Sequence, residues 1–204
     1  PADAQAKLGK HFRERQQGRL HYVGSNEITA PVIEAAYLRL LGLLNDHIEQ
    51  QRFLLGQRPG AGDFALFGQL SQLALFDPTP RTLAHDNAPR VVAWTTVMDD
   101  LSGHAIQRPA WVALEEQPNT LHALLGEIGR VYAPLLLANA RAVAEGVAEF
   151  TTEVDGSRWV QQTFPYQAKC LQWLREEYTA LDTEHRERFD RAIAGTGCET
   201  IFSD

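Results

Sequence analysis

The chain has 204 residues, 44% of them hydrophobic, enough to bury a sizeable core and too apolar for a disordered chain. Its formal net charge is -7, with Lys and Arg scattered rather than clustered, so the basic footprint of a nucleic-acid binder is missing. Cys170 and Cys198 do not make a disulfide framework in a chain of this size, and no secretory segment precedes the first helix, so a reducing, cytoplasmic setting is expected.

In chain order, residues Ala4 to Leu20 read as a polar, basic-edged helix with Leu8, Phe12 and either Arg15 or Arg19 along one side. Gly24-Ser25-Asn26 breaks the chain. From Pro31 the apolar set Ile33, Tyr37, Leu40, Leu41, Leu44 and Ile48 follows the helical period and predicts a helix ending near Gln51. A Gly-rich turn then leads to Asp63, and from Phe64 to Phe76 only Gln69, Ser71 and Gln72 are strongly polar, which predicts a helix buried on every side. Asp63 stands in its first turn, where a carboxylate meets free backbone N–H groups and the positive end of the helix dipole. That is a folding role, worth about 1–2 kcal/mol as a cap.

A proline-started helix with one apolar stripe follows from Pro89 through Trp94 and Met98. Pro118-Asn119-Thr120 caps a predicted helix from Leu121 to about Ala144, which Pro134 must kink or interrupt. Asp155-Gly156, set between two stretches rich in Thr, Val and aromatics, predicts a β-hairpin. Beyond Phe164-Pro165 comes a helix carrying Cys170, Leu171, Leu174, Tyr178 and Leu181, then a charged one from about Thr183 to Ala194, then a Gly-rich tail with Cys198. No apolar run reaches the length of a membrane span, since Gly42, Gly56 and Asp77 break the best candidates, and a soluble protein is expected.

Gly60-Ala61-Gly62-Asp63-Phe64-Ala65 fits a loose dinucleotide fingerprint, but the element before it is a helix where a strand is required. The seven histidines never pair at the i, i+4 spacing that grips one metal, so no metal site is expected. Asp99-Asp100 and Glu115-Glu116 are neighbours whose side chains diverge on a helix and cannot share a proton. Cys170 has Lys169 beside it and a helix start nearby, the features of a reactive thiol, yet it shares a face with Leu174 and Leu181, the setting of a buried structural cysteine. Cys198 reads as more exposed. Trp94, Trp111 and Trp173 are expected in the core, and Trp159 over an edge or a partner.

One order of elements is distinctive: a long amphipathic helix, Phe53-Leu54-Leu55-Gly56, the Gly60-Ala61-Gly62-Asp63 helix start, and the Pro89 tryptophan helix. It is similar to the all-helical C-terminal domain of the glutathione S-transferase family, over roughly Pro31 to Gly103. The family more commonly has Ser or Thr where Gly60 stands, so the hydroxyl cap is missing here. The resemblance implies an all-α glutathione S-transferase C-terminal-like bundle over residues 1–146, with the hairpin and two helices of 147–204 as a C-terminal extension.

It also implies a thioredoxin-like domain that binds glutathione as co-substrate and carries the catalytic Ser, Cys or Tyr. Nothing in these 204 residues reads as that domain, and no catalytic residue is expected among them. The chain opens Pro1-Ala2-Asp3-Ala4 and its one methionine is Met98, so further sequence upstream is expected. In the family the electrophile pocket draws on the first helix and the start of the buried one, which by order implicates Phe12, Arg15, Arg19 and Tyr22. Arginines there would neutralise an anionic ligand, the alternative being a solvated basic helix. A small-molecule electrophile and a homodimer are the expected partners. A non-catalytic interaction or scaffold module with the same fold is the alternative function, because fold alone does not settle function.

Overall fold

The computed structural model describes residues 2–105, 108 and 110–203, so Pro1 of the opening tetrapeptide lies outside the described residues. The chain is all-α with one small sheet. In order, it runs α1 (Ala2–Gln17), a short turn of helix (Leu20–Val23), α2 (Ala30–Gln50), α3 (Ala61–Leu70), a π-helical turn (Ser71–Phe76), α4 (Pro78–Asn87) and α5 (Pro89–Asp99). After a 3-10 turn (Leu114–Glu116) come α6 (Asn119–Glu127), a second π turn (Ile128–Tyr132), α7 (Ala133–Glu145), β1 (Glu149–Val154), β2 (Ser157–Gln162), α8 (Pro165–Ala180), α9 (Thr183–Ile193) and a last 3-10 turn (Cys198–Ile201).

The first core is built by α2, α3, α4 and α5. Leu41 and Leu44 of α2 meet Leu70 of α3, Ala74 of the π turn and Val91 and Trp94 of α5, all buried. Tyr37 sits at the edge of this core and donates its hydroxyl to the Pro80 carbonyl at 3.2 Å. The expected all-round burial of the third helix is corrected here: Phe64 is 53% exposed and Phe76 76% exposed. Only one side of that helix meets α5 and α4, whereas its composition, apolar on every side, carries no information about which side has a neighbour.

A second core joins α7 to the chain after it. Leu136 of α7 packs with Leu171 of α8, Ile193 of α9 and Ile201. Buried Asn139 ties α7 to the start of α8, accepting from Phe164 N at 2.7 Å and donating to Phe164 O at 3.0 Å. Arg188 of α9 grips Glu115 through two guanidinium nitrogens, and that bond holds the Glu115 carboxyl down to about 2.

Pro134 does not break the sixth and seventh helices apart. Its missing N–H falls in the first turn of α7, and the π turn at Ile128–Tyr132 widens the path, so Asn119–Glu145 is one continuous helical stretch of 27 residues. By length and composition that stretch is long and apolar enough to cross a membrane, which corrects the expectation that none is. Its contacts with α2, α8 and β1 are those of a helix shared between two cores.

The hairpin forms where Asp155-Gly156 places it. Glu149 pairs with Gln162 and Val154 with Ser157, and Asp155 (φ 49°) and Gly156 (φ 78°) both take the positive φ of a type I′ turn. Phe150, Val154, Trp159 and Gln161 alternate onto the buried face. Trp159 is therefore core, while Trp111 is 54% exposed, stacked under the Arg58 guanidinium at 5.2 Å, and Trp173 is also exposed. Both expectations of core tryptophans at 111 and 173 are overturned by their place at a turn and a helix face that no other described element covers.

Gly156→Val should disrupt the hairpin selectively, since a β-branched residue resists φ near 78°. In amide exchange, protection should fall over 149–162 and persist over α2–α5; a global loss of protection would contradict this.

Candidate functional site

The residues drawn from the first helix lie together along an arm rather than around a cavity. Phe12 is 57% and Tyr22 52% exposed, and Arg15 and Arg19 are exposed as well. Every described side chain from Asp3 to Val23 faces solvent, because no described element packs closely against the Leu8 and Phe12 stripe of α1. Two clefts lie elsewhere. One, about 910 Å3, runs between α7 and α8 past Ala140, Ala168, Lys169 and Arg175. The other, about 810 Å3, lies between α2 and α6 beside Arg39, Gly42, His122 and Gly126.

Cys170 sits half-buried on α8, and the Lys169 ammonium lies over the Trp173 ring at 4.9 Å. That places the neighbouring charge against an aromatic face. Cys198, expected to be exposed, is buried: its thiol donates to the Leu125 carbonyl at 3.2 Å, and burial pushes its pKa up. The reason is Gly129 in the second π turn, whose bare Cα lets the 196–198 backbone approach so closely that a side chain at 129 would collide with it. Both effects disfavour a thiolate at Cys198. Among the described residues no group of His, Cys, Asp and Glu is arranged to hold a metal.

The densest polar arrangement is structural. Asp63 is 1% exposed and its carboxylate accepts Leu54 N at 2.9 Å and Gly60 N at 2.8 Å. The second bond is the reach-back half of a capping box; Gly60 has no side chain to return it. On the other side of the same residue, the Leu54 carbonyl lies 3.1 Å from Nε2 of fully buried His47, whose Nδ1 lies 2.8 Å from Thr120 Oγ1 on α6. A carbonyl only accepts, so Nε2 carries the proton, and burial pushes the His47 pKa down. Sequence reading placed Asp63 and missed His47. The signal was its position three residues after Leu44, on the buried stripe of α2.

These pieces are the helix order and the buried helix start expected of one family. A family model described as the glutathione S-transferase C-terminal domain matches residues 11–96, from within α1 to within α5. This segment belongs to the glutathione S-transferase C-terminal domain family. No curated protein and no solved structure matches the chain significantly. In this glutathione S-transferase-type domain, Asp63 sits at the joint between α2, the Phe53–Gly56 turn and α3, away from the exposed arm.

Asp63→Ala should cost about 2–4 kcal/mol, more than a simple cap, because two buried or half-buried N–H donors lose their acceptor together. Urea unfolding that moved by less than 1 kcal/mol would remove this assignment.

The depressed pKa of His47 makes a pH prediction with a definite sign. In the unfolded chain His47 titrates near its ordinary value of about 6.5, and in the fold it titrates lower, so the unfolded state takes up more protons. The His47 contribution is complete above about pH 6.5 and is lost as pH falls through the folded value. Between pH 7 and 5 the wild-type chain should lose more stability than His47→Gln; equal slopes in the two proteins would contradict this.

Proposed function

We propose that this chain is the electrophile-binding and dimer-forming helical half of a glutathione S-transferase-like protein. Glutathione binding and catalysis come from a thioredoxin-like domain outside these 204 residues. The match of residues 11–96 to the family's C-terminal domain carries this reading. Two further observations support it. Among the described residues the one sheet is the two-stranded hairpin, with no strand–helix–strand unit of the kind that holds glutathione in the family. The arm bearing Phe12, Arg15, Arg19 and Tyr22 is exposed along its length, as a surface awaiting the rest of a pocket would be.

Exposure of the whole arm also favours a second reading, a non-catalytic interaction module that keeps the helical fold. A pocket needs convergent walls, and these four side chains have no opposing wall among the described residues.

The chain purified by itself should fold as a helical protein and should not conjugate glutathione to a model electrophile, since no described thiol, hydroxyl or phenol is positioned to activate one. Calorimetric titration of glutathione into the full-length gene product, beside this chain, tests the proposal. Binding to the full-length protein alone supports the transferase-like reading, and binding to neither supports the scaffold. Turnover by this chain, lost in Cys170→Ser, would overturn both.

A further inference from the structure

The direction in which α1 projects is set where the chain turns into α2, and the extension after residue 147 reaches that turn. Gly24 closes the short helical turn at Leu20–Val23 with φ of 69°. Its carbonyl accepts buried Thr29 Oγ1 at 2.7 Å and Asn26 Nδ2 at 3.2 Å, which fixes one side of the joint. On the other side lies the buried indole of Trp159 from β2, so close that a side chain at Gly24 would overlap the ring. The indole N–H donates to buried Gln161 Oε1 at 3.0 Å, which fixes the ring. The hairpin is in turn anchored to the bundle: Asp155 at its turn pairs with Arg39 of α2 at 2.9 Å, and Val154 and Trp159 pack with Val32 at the start of α2.

We propose that the β1–β2 hairpin is a clamp that holds the Gly24 joint and thereby sets the direction of α1. A glycine at positive φ between two helical segments is a swivel when nothing covers it. Among the described residues no element packs closely on α1, so the covered swivel is what orients it. The helix is about 24 Å long, and a small rotation at its base moves its far end by many ångströms. Under the function proposed above, the clamp decides where Phe12 and Arg15 are presented; that consequence rests on that reading, whereas the clamp itself does not.

Amide residual dipolar couplings measured on the full chain test this. In the wild-type chain the couplings of α1 should fit the alignment tensor of α2–α5. In Trp159→Ala they should leave that tensor and shrink about twofold or more, while α2–α5 keep theirs. Gly24→Ala leaves the hairpin sequence intact and forces the indole off the joint, so it should produce the same selective change; should Trp159→Ala fail to fold, it decides alone. Couplings of α1 that are already averaged in the wild-type chain, or that stay on the bundle tensor in the folded variants, overturn the proposal. Glutathione titration does not enter this readout, so the functional reading and the clamp fail separately.

Discussion

The two-sided anchoring of the Leu54 backbone is the interaction on which the first core depends. Its N–H donates to Asp63 and its carbonyl receives His47, so the backbone of one half-buried residue joins the end of α2, the Phe53–Gly56 turn and the start of α3, and through Thr120 the start of α6. A turn partly covered by helices carries polar groups that water reaches poorly, and each unsatisfied one is costly. Here both the N–H and the carbonyl of Leu54 are answered by side chains that are themselves held by second bonds. Phe53, Leu70 and Trp94 close over this joint, and Trp94 donates its own N–H to the Arg52 carbonyl at 3.1 Å.

The second core rests on the same device used once more. Asn139 answers both the N–H and the carbonyl of Phe164, which satisfies the chain where it leaves the hairpin and enters α8. Around it, burial rather than polar chemistry dominates: Leu136, Leu171, Ile193 and Ile201 exclude water from the junction of three helices. The Gly129 approach then brings the tail in, which converts Cys198 from an exposed thiol into a small core residue with one weak hydrogen bond.

What the sequence disclosed depended on whether the signal was local. Asp63 at a helix start and Asp155-Gly156 at a turn carry their structural meaning within a few residues, and both stand where that meaning puts them. Ile33 at the start of α2 is exposed and Val32 takes the buried place, while the period-3.6 stripe from Tyr37 to Ile48 was legible. The exposure of Phe64, Phe76 and Trp111 was not, because hydropathy records what a side chain would gain by burial and not whether a neighbour exists to supply it. The same gap explains the arm: α1 has a helical pattern with Leu8 and Phe12 on one side, yet its partner is nowhere encoded in its own residues. His47 was hidden for the opposite reason, since a histidine on an apolar stripe is read as an interruption until its two partners, far along the chain, are placed.

The continuous helix from Asn119 to Glu145 has a mechanical consequence. One end belongs to the first core through Leu124, the other to the second through Leu136, and no loop separates them. A flexible linker would let two cores melt one after the other; a rigid beam of about 40 Å transmits the loss of one to the other. The α2–α5 core and the core of α7–α9 thereby share one element, so loss of the Ile193 and Ile201 packing is transmitted along it, whereas the hairpin beyond its end can open with both cores intact.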